Sequence, residues 1–580
     1  MSEVTNSEVA AAFDELGDLY ELDGASIHRI VAYRNAARSV REASKQVAQL
    51  ALDGRATQIP GIGATLQEKI VALATTGEIP ALVKLRGKFP PGLVEMTKLP
   101  GLGPKRARRL YEDLGIDSLE SLREAAESGR ISELKGFGAK AEQALLEAVD
   151  AYAQAGPAQR IVLSRALAVG EELLAEIRAL AVTSQAELAG SARRMAESVK
   201  DLDIVATASD PAALAEAVAA LPQVEAASTP GPNAVRIRTH SAISVDVRIV
   251  EPDQFGNVLQ HLTGSKQHNM ALRDLAVRRG LHISEYGVLD DSTEITHRCA
   301  TEAEVYALLG MEYIPPELRE DRGELDAALK GTLPELVTAT DLKGDLHCHT
   351  TASDGTASIE EMAEAAIAAG YEYLVITDHS ASMGFGADVS DDQLRTQVER
   401  VREVDATLSG FTLLAGSEVN VLPDGSLDYP DELLAELDWV VASVHTSFRM
   451  PKQEMTARIV RAIEHPYVDC IGHLSGRKIL QRQPYEFDFD SVLEASARTG
   501  TMLEINANPD RRDLNELDAR EAAAAGIPIV INCDAHRTSG FEVVRYGIAT
   551  ARRAWLSADQ IVNTRPWSEV APTLSRAAAV

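Results

Sequence analysis

Asp345-Leu346-His347-Cys348-His349 opens the stretch of sequence that decides the fold of the C-terminal half. Six short apolar runs follow, and each ends in a side chain of a metal-binding type, at residues 374–379, 413–418, 439–445, 470–473, 502–506 and 529–536. Helical patterns separate several of these runs, at residues 359–369, 391–408 and 490–499. Buried strands that alternate with helices are typical of parallel α/β folds. The pattern predicts an α/β barrel or a layered sheet from residue 343 onward.

The strand ends carry a repeated set of metal ligands. A lone histidine on an apolar run is usually a core or surface residue, but repetition at strand ends reverses that expectation, because such ends meet at one rim of a barrel. Imidazole and carboxylate together suit Zn²⁺, Mn²⁺ or Fe. We predict two or three divalent ions, held by His347, His349, Asp354, His379, Glu418, His445, His473, Asp534 and His536. The neighbouring thiols of Cys348 and Cys533 are predicted to pack rather than bind metal.

Composition sets broad limits on the protein class. A chain of 580 residues with four cysteines should hold several domains and no disulfide framework. It has no apolar stretch of the roughly 18–20 residues that span a bilayer and no signal-peptide pattern, so a cytoplasmic location is predicted. The net charge of −30 argues against a global attraction to nucleic acid. Any affinity for DNA must come from local basic patches and backbone amides.

A second group of carboxylates lies upstream. Asp201 and Asp203 alternate with apolar residues, and so does Asp246, so each projects from one face of a strand. Three aspartates on adjacent strands would hold two Mg²⁺ or Mn²⁺ ions, which prefer oxygen ligands. Such a pair can activate a 3′-hydroxyl and clamp a triphosphate. The segment Gly190-Ser191-Ala192-Arg193-Arg194 adds a turn, a hydroxyl and guanidinium groups suited to phosphates.

The first 150 residues contain three similar turns, at residues 59–63, 99–103 and 134–138. Each turn precedes a helical pattern, and the spacing of roughly 40 residues makes this an internal repeat. A glycine-rich turn that opens a helix aims free N–H groups at an anion. We predict that these turns bind the DNA backbone without sequence specificity, through Gly61, Gly63, Gly101, Gly103, Lys105 and Arg106. A purely structural role for the turns is the alternative.

The upstream carboxylate pattern resembles the nucleotidyltransferase palm of family X DNA polymerases. Thr263-Gly264-Ser265, followed by Asn269 and Arg273, resembles the segment of that family that contacts the incoming nucleotide and the template. The resemblance implies that Asp201, Asp203 and Asp246 are catalytic metal ligands. It further implies nucleotide-binding roles for Gly190, Ser191, Arg194, Gly264, Ser265, Asn269 and Arg273.

Two departures from the animal members affect what the resemblance implies. His261-Leu262 replaces the Tyr-Phe pair that packs against the sugar, which leaves the choice between deoxy- and ribonucleotides open. Ser244 stands two residues before Asp246, where animal enzymes carry an arginine. We therefore expect weaker polarisation of the Asp246 carboxylate.

The N-terminal region resembles the small lyase domain of the same family. Lys69 occupies the place of the lysine that forms a Schiff base in animal repair members, and a desolvated lysine can attack a sugar aldehyde. His28, Tyr33 and Arg34 also match phosphate-contacting or supporting positions, whereas Arg29 and Thr65 replace lysines. Lyase activity and a mere phosphate-facing helix both remain open interpretations of Lys69.

The C-terminal ligand set resembles the PHP (polymerase and histidinol phosphatase) domain, a distorted seven-stranded barrel. Bacterial family X polymerases carry such a domain at their C-terminus, so both halves of the chain point to one family. Asn508 and Arg511 are expected to line its substrate cleft, although Arg511-Arg512 is equally consistent with a solvated loop.

The predicted fold class is multidomain. It comprises an α-helical N-terminal region with helix-hairpin-helix motifs, an α+β palm and thumb, and a C-terminal distorted (β/α)7 PHP barrel. The predicted domains are 1–85 (lyase-like), 86–155 (fingers-type), 156–255 (palm), 256–318 (thumb-type), 319–342 (linker) and 343–575 (PHP).

The resulting hypothesis is a monomeric gap-filling polymerase of DNA repair that binds DNA and dNTPs and no membrane. The barrel would act as a metal-dependent 3′–5′ exonuclease, and 3′-phosphatase or abasic-site cleavage are further candidates. An alternative is a phosphoesterase for a small phosphomonoester with a DNA-binding N-terminal module. A third interpretation is an inert, metal-stabilised barrel.

Overall fold

The computed structural model describes residues 4, 6–42, 47–59, 61–97, 99, 102–134, 136–138, 142–146, 148–149, 160–231, 233–241, 243–382 and 388–574. The chain divides into two compact units, Met1–Gln159 and Arg160–Val580. Across the described residues, no helix is both long and apolar enough to cross a membrane.

The first unit is helical. Its helices are α1 (Asn6–Leu22), α2 (Ile27–Glu42), α3 (Val47–Leu52), α4 (Ala64–Thr76), α5 (Pro80–Arg86), α6 (Pro91–Met96), α7 (Pro104–Leu114) and α8 (Leu119–Glu127). Two of the predicted turns open helices, because Gly63 is the N-cap of α4 and Gly103 is the N-cap of α7. The third turn precedes helical residues 142–146. Gly101 lies outside the described residues.

The second unit begins with the palm, a five-stranded sheet with helices. Its elements are β1 (Ile161–Val162), α9 (Leu163–Ala179), β2 (Thr183–Leu188), α10 (Gly190–Arg193), β3 (Ser198–Val199), β4 (Leu202–Ala208), α11 (Pro211–Ala219), β5 (Val224–Gly231), β6 (Ala234–Thr239) and β7 (Ser244–Ile249). The sheet order is β2-β4-β7-β6-β5, and β1 pairs separately with β3. β4 and β7 are parallel, whereas β6 is antiparallel to β7. β6 and β7 therefore form an antiparallel hairpin.

The thumb combines a three-stranded antiparallel sheet with helices. Its elements are α12 (Phe255–Thr263), α13 (Lys266–Val277), β8 (Leu281–Ser284), β9 (Gly287–Asp290), β10 (Ile295–His297) and α14 (Glu302–Leu308). The side chain of Ser265 caps the start of α13 by accepting a hydrogen bond from the His268 N–H. This cap satisfies one of the free amides of the first turn.

The segment predicted to be a linker, 319–342, contains a helix and packs against the thumb. α15 (Glu324–Lys330) lies in it, and Ala328 and Leu336 join the thumb core. Glu324 Oε1 lies 2.7 Å from His268 Nδ1 in a fully buried contact. The prolines and glycines that suggested a flexible connection instead bound a docked helix. The domain limits drawn from the sequence stay predictions.

The barrel is a seven-stranded parallel sheet in sequential order. Its strands are β11 (Gly344–Asp345), β12 (Tyr373–Ile376), β13 (Thr412–Asn420), β14 (Trp439–Ser443), β15 (Cys470–Ile471), β16 (Met502–Asn506) and β17 (Ile529–Asn532). Its helices are α16 (Ile359–Ala368), α17 (Asp391–Asp405), α18 (Asp431–Leu434), α19 (Lys452–Ile463), α20 (Phe489–Thr499), α21 (Glu516–Ala524), α22 (Val544–Arg553) and α23 (Trp567–Val570). A parallel bridge between Cys348 and Ala535 joins the first and last strand regions at the rim. The His349 N–H donates to the Ala535 carbonyl at 2.8 Å, which nearly closes the barrel.

Alternation along the strands separates two apolar layers. Leu374 and Ile376 of β12 face the surrounding helices in the larger core, whereas Tyr373 and Val375 belong to the interior core. Val562, Val570 and Leu574 of the C-terminal segment pack into that same interior core. Because side chains fill the interior, the polar chemistry is confined to the rim.

Two candidate metal centres

The palm aspartates converge at the ends of two neighbouring strands. Asp203 of β4 and Asp246 of β7 are direct partners in the parallel register, and Asp201 stands two residues before Asp203. The β7 burial pattern alternates as predicted, with Val245, Val247 and Ile249 buried. The sequence pattern therefore places all three carboxylates on one side of the sheet.

The negative charge of the three carboxylates affects the pKa of Asp203. Burial, together with the charges of Asp201 and Asp246, raises the pKa of Asp203 to about 6. Like charges that share a site disfavour further ionisation until a cation neutralises them. The donor set is all oxygen and is therefore suited to a hard divalent ion.

The Asp203 carboxylate occupies the space that a side chain at position 190 would need. A Cβ atom at this position would lie 2.2 Å from Asp203 Oδ2, and the residue adopts a φ of +65°. Both features require glycine. Ser191 follows in the short helix α10, which therefore begins beside the Asp203 carboxylate.

Arg193 and Arg194 both form ion pairs with carboxylates outside the palm. Arg193 forms an ion pair with Glu302 at 2.7 Å. Arg194 Nε lies 2.9 Å from Glu320 Oε1, and its Nη1 donates to the Thr263 carbonyl at 2.9 Å. The guanidinium predicted to bind a triphosphate is thus held by a carboxylate in this state of the protein.

Barrel residues hold the segment that contains these arginines. Arg477 pairs with Glu197 at 2.6 Å, and Arg512 donates to the Met195 carbonyl at 2.9 Å. Arg553 donates to the Arg194 carbonyl at 2.7 Å and pairs with Glu320 at 3.0 Å. Arg511-Arg512 is therefore only partly a solvated loop, since Arg512 is buried.

The thumb residues proposed to contact the nucleotide form a tight local group. Asn269 Nδ2 donates to the His261 carbonyl at 2.6 Å, and Arg273 Nη2 lies 3.3 Å from His261 Nδ1. A Cβ on Gly264 would lie 2.3 Å from Asn269 Oδ1. Ser265 is buried and caps α13, so its hydroxyl is already used structurally.

The barrel rim brings the predicted ligands together in three overlapping groups. In each group the ligand atoms lie within 4.8 Å of one another. The groups are His349, Asp354, His379 and His536; His347, His349 and Asp534; and His379, Glu418 and His445. His473, the remaining predicted ligand, reaches Glu418 with Nε2 at 2.9 Å. Shared membership of His349 and His379 makes the groups one continuous centre.

Glu418 lies at the middle of this centre. Its carboxylate is 2.9 Å from His379 Nδ1 and 3.2 Å from His445 Nε2. Burial would raise the pKa of Glu418, but the surrounding imidazoles of His445, His347 and His379 hold it well below its usual range. Glu418 therefore stays ionised at neutral pH, as a metal ligand must.

The pKa values of the rim histidines also depend on burial and on neighbouring charges. Burial opposes their charged forms, yet nearby carboxylates raise the pKa of His379 to about 10 and that of His536 to about 9. His349 behaves differently, because burial and the neighbouring His379 lower its pKa to about 4. Without a cation the centre keeps protons on some rings to balance its carboxylates.

Orphaned ring nitrogens fit a bound cation. His347 Nε2, His349 Nδ1, His445 Nδ1 and His473 Nδ1 are buried and have no hydrogen-bond partner. A buried polar atom without a partner is costly unless another ligand satisfies it. The backbone of His473 and Asp534 adopts positive φ angles of 31° and 53°, a conformation that is rare for residues other than glycine and often found at functional sites.

Sequence reasoning missed the carboxylate that orients His347. Glu504 Oε1 lies 2.7 Å from His347 Nδ1, and Glu504 Oε2 accepts the His473 N–H at 2.8 Å. Asn532 Nδ2 donates to the same Oε1 at 3.0 Å. A carboxylate behind a metal-binding histidine fixes its ring and tautomer. The apolar run at 502–506 contained the signal, since Glu504 interrupts it.

Asp378 plays a similar supporting part for the loop before Asp354. It accepts hydrogen bonds from the Thr350 N–H at 2.7 Å and the Thr350 hydroxyl at 2.6 Å. It also accepts a hydrogen bond from Ser353, the residue before Asp354. Asp378 and His379 are adjacent but have different roles. His379 belongs to the candidate ligand group, whereas Asp378 holds the loop that carries Asp354.

The predicted DNA-binding turns lie in the helical unit. Gly61 has a φ of +85°, while Gly63 and Gly103 have open space where a Cβ would lie. Lys105 is exposed on α7, and the Arg106 guanidinium stacks 4.4 Å above the Phe137 ring of the third turn. Lys69 is partly exposed on α4. Arg34 is held by Asp18 and Glu21, and Tyr33 is buried against Tyr20.

Family models match four segments of the chain. The DNA polymerase beta thumb matches residues 258–320, and the PHP domain matches residues 345–508. A helix-hairpin-helix domain matches residues 4–79, and a SAM-like helix-hairpin-helix tandem matches residues 93–150. The predicted fold class is confirmed by these matches and by the barrel.

The DNA polymerase/3′-5′ exonuclease PolX of Bacillus subtilis (strain 168) is 36% identical over 559 residues, which cover 96% of this chain and 97% of that protein. The chain belongs to the PolX family. It combines the thumb and the PHP domain expected of a PolX member, and the family implies binding of DNA and of divalent metal ions.

Shorter relatives match only the PHP part. A protein named "Probable phosphatase" from Thermoanaerobacter sp. (strain X514) is 31% identical over 233 residues, 38% of this chain and 89% of that protein. Another from Acetivibrio thermocellus is 32% identical over 212 residues, 35% of this chain and 82% of that protein. The PolX relative accounts for the whole chain, whereas the phosphatases account for the barrel alone.

Proposed function

We propose that this PolX member extends DNA with its palm aspartates and degrades DNA from the 3′ end with its barrel ligands. The observation that carries the proposal is the coexistence of two separate ligand sets in one compact unit. The palm set is all carboxylate, while the barrel set mixes imidazole with carboxylate. Gap filling during DNA repair, with dNTPs as substrates, is the task that such a pair would serve.

In the palm, Asp201, Asp203 and Asp246 are the proposed metal ligands. Divalent ions held there would activate a 3′-hydroxyl and neutralise a triphosphate. Asp246 stands at the position nearest the 3′-hydroxyl in family X polymerases and would favour its deprotonation. Gly190, Ser191 and Arg194 would receive the phosphates, and Gly264, Asn269 and Arg273 would contact the nucleotide. Ser265 supports this group through its cap on α13.

In the barrel, the nine rim ligands are the proposed hydrolytic centre. Divalent ions held there would activate water and stabilise charge on a scissile phosphate. Glu418 lies close to five histidine rings and would serve as the central carboxylate ligand. Glu504 keeps the His347 ring in place for its Nε2 to bind.

The donor chemistry narrows the choice of metal in each centre. The oxygen-only palm suits Mg²⁺ or Mn²⁺. The imidazole-rich barrel suits Mn²⁺, Zn²⁺ or Fe, and its three overlapping groups support two or three ions.

The remaining assignments belong to the same proposal. The helix-hairpin-helix turns, through Gly61, Gly63, Gly103, Lys105 and Arg106 together with Gly101, would bind the DNA backbone. Lys69 is the candidate residue for lyase activity, and contact with a phosphate from α4 is the alternative role. A monomeric state and a cytoplasmic location stay predictions.

A small phosphomonoester is the alternative substrate of the barrel, and the "Probable phosphatase" relatives favour it for that part of the chain. It does not account for the palm triad or the thumb. Hydrolysis of a chromogenic monoester faster than of a DNA 3′ end would favour it.

Two variants test the main proposal on one gapped DNA substrate. Asp201→Ala combined with Asp203→Ala should abolish extension and leave degradation intact. His347→Ala should abolish degradation and leave extension intact. Each activity serves as the folding control for the other variant. Loss of both activities in a folded variant would contradict independent centres.

A further inference from the structure

Arg236 makes the direct side-chain contact to one of the palm aspartates. It lies on β6 directly opposite Asp246 on β7, and its Nε donates to Asp246 Oδ1 at 2.9 Å. The two residues are antiparallel neighbours with side chains on the same face of the sheet, where such pairs interact most closely. The contact uses Oδ1 of the carboxylate, so Oδ2 is not engaged by this arginine.

The position along β7 where animal members carry an arginine holds Ser244. Ser244 is exposed, and its partner in the register is Arg238. A serine hydroxyl cannot supply a positive charge, so the weaker polarisation expected from the sequence would follow if no other cation approached Asp246. The structure supplies that cation from the adjacent strand instead.

Arg248 lies on the same strand as Asp246, two residues further on. Its charge acts on Asp203, where it opposes the rise of the pKa. It makes no hydrogen bond to Asp246 among the residues that the structure describes. Arg236 is therefore the guanidinium with defined geometry at Asp246.

The Arg236–Asp246 pair is solvent-exposed, with 62% and 39% of the side chains accessible. Exposed ion pairs contribute little to stability. A role in the orientation of the carboxylate is therefore a better explanation of the contact than a role in folding.

We propose that Arg236 is a positioning residue for nucleotide addition, which holds the Asp246 carboxylate from the neighbouring strand in place of an arginine on β7 itself. This inference rests on the proposed catalytic role of Asp246. A small misplacement of a reacting group costs up to about 100-fold in rate. Loss of Arg236 should therefore slow the chemical step while nucleotide binding persists.

Arg238 provides a matched control. It lies on β6 on the same face, is similarly exposed, and pairs with Glu225 at 3.5 Å rather than with a palm aspartate. Both arginines line a cleft of about 330 Å³ together with Asp201 and Asp246. Arg238→Ala therefore removes the same charge from the same cleft without touching Asp246.

The experiment compares Arg236→Ala, Arg236→Lys, Arg238→Ala and Asp246→Ala in the full-length protein. Single-nucleotide extension gives kcat and KM, and equilibrium titration of dNTP with Mg²⁺ onto a chain-terminated primer measures binding without chemistry. Arg236→Ala should lower kcat about 10- to 100-fold, with KM and the dissociation constant changed less than about threefold. Arg236→Lys should recover part of the rate, and Arg238→Ala should stay within about twofold of the unaltered protein.

The double variant Arg236→Ala with Ser244→Arg adds a rescue. An arginine at position 244 lies two residues from Asp246 on the same strand face, so it should restore most of the rate lost in Arg236→Ala. The rescue also shows that the single variant was folded. Equal effects of Arg236→Ala and Arg238→Ala, a parallel loss of dNTP binding, or failure of the rescue would each overturn the inference.

The Asp246→Ala variant separates the two levels of the hypothesis. If it extends DNA at the normal rate, the proposed function of the palm fails. If it is inactive while Arg236→Ala is as active as Arg238→Ala, the palm assignment stands and only the role of Arg236 is wrong.

Discussion

The palm and the barrel build metal centres in opposite ways. The palm offers three carboxylates from two strands, and Asp246 is still 39% exposed. The barrel offers nine proposed ligands around its rim, and six of these are buried: His347, His349, His379, Glu418, His473 and Asp534. An open oxygen site leaves room for water and for substrate phosphates to complete the coordination. A buried cage with orphaned ring nitrogens is nearly complete before any substrate arrives.

The difference suggests a division between substrate-assisted and resident metals. The palm should bind its ions weakly until a nucleotide triphosphate arrives, whereas the barrel should retain its ions through purification.

Replacement of the central barrel carboxylate should have the largest effect. Glu418→Ala removes the side chain shared by several histidines and leaves their rings without a bridging anion. We expect at least about a 1,000-fold loss of 3′–5′ degradation, by analogy with the loss of other key electrostatic groups. Mass-spectrometric metal analysis should show loss of bound ions, while primer extension stays unchanged. Full metal content in Glu418→Ala would show that Glu418 is not needed to retain ions in the barrel.

Replacement of Glu504, which orients the His347 ring, should cause a smaller loss of 3′–5′ degradation. Glu504→Gln keeps the shape but weakens the hold on His347 Nδ1. Changes of this kind cost about 10- to 100-fold in metal affinity or activity. Degradation measured against added metal should recover part of its rate at high concentration, unlike that of Glu418→Ala. An effect as large as that of Glu418→Ala would make Glu504 a ligand.

The two centres should respond to pH at opposite ends of the scale. Because the pKa of Asp203 is raised to about 6, a proton competes with metal in the palm below that pH and not above it. In the metal-free barrel, His379 and His536 have pKa values of about 10 and 9, so metal uptake must release their protons and strengthens as pH rises toward 9.

Manganese binding followed by electron paramagnetic resonance between pH 5 and pH 9 measures both trends. The Asp201→Ala, Asp203→Ala protein reports the barrel alone, and Glu418→Ala reports the palm. We expect about a tenfold weakening per pH unit below 6 in the palm. Identical pH profiles for the two proteins would refute this assignment.

The smallest effect is expected where the two regions meet. Glu320 holds Arg194 of the palm and Arg553 of the barrel. Glu320→Gln removes the charge that holds the largely buried Arg194, and a hydrogen bond to a neutral amide is weaker than one to a carboxylate. The substitution should therefore release Arg194 for the triphosphate and lower the KM for dNTP about two- to fivefold. Glu317→Gln is the control, because Glu317 pairs with Arg552 at 2.8 Å and does not contact Arg194. A raised KM would mean that Glu320 supports Arg194 in its binding position.

The sequence predicted the parts of this structure that depend on local periodicity. Apolar runs with terminal ligands predicted the barrel rim, since strand ends of a parallel barrel meet in one place. The alternation around Asp203 and Asp246 predicted that their strands expose carboxylates on one face. The helical patterns at residues 359–369 and 490–499 predicted α16 and α20 to within one residue at either end.

The rest depends on contacts between distant segments. Arg236 is one of many charges on an exposed strand, and nothing in its own neighbourhood distinguishes it from Arg238. Glu320 and Arg553 are more than 200 residues apart, and their pairing follows from the docking of barrel against thumb. The segment 319–342 resembled a linker, because its prolines and glycines were visible while the burial of Ala328 and Leu336 was not.

The bridge between Cys348 and Ala535 sets an order of events during synthesis. The palm strands that carry the aspartates are complete once residue 249 has left the ribosome, whereas the barrel cannot close until residue 535 follows. Histidines from both ends of the C-terminal segment must meet before they can share a cation. The strands of the palm can therefore pair on a nascent chain well before the barrel can close.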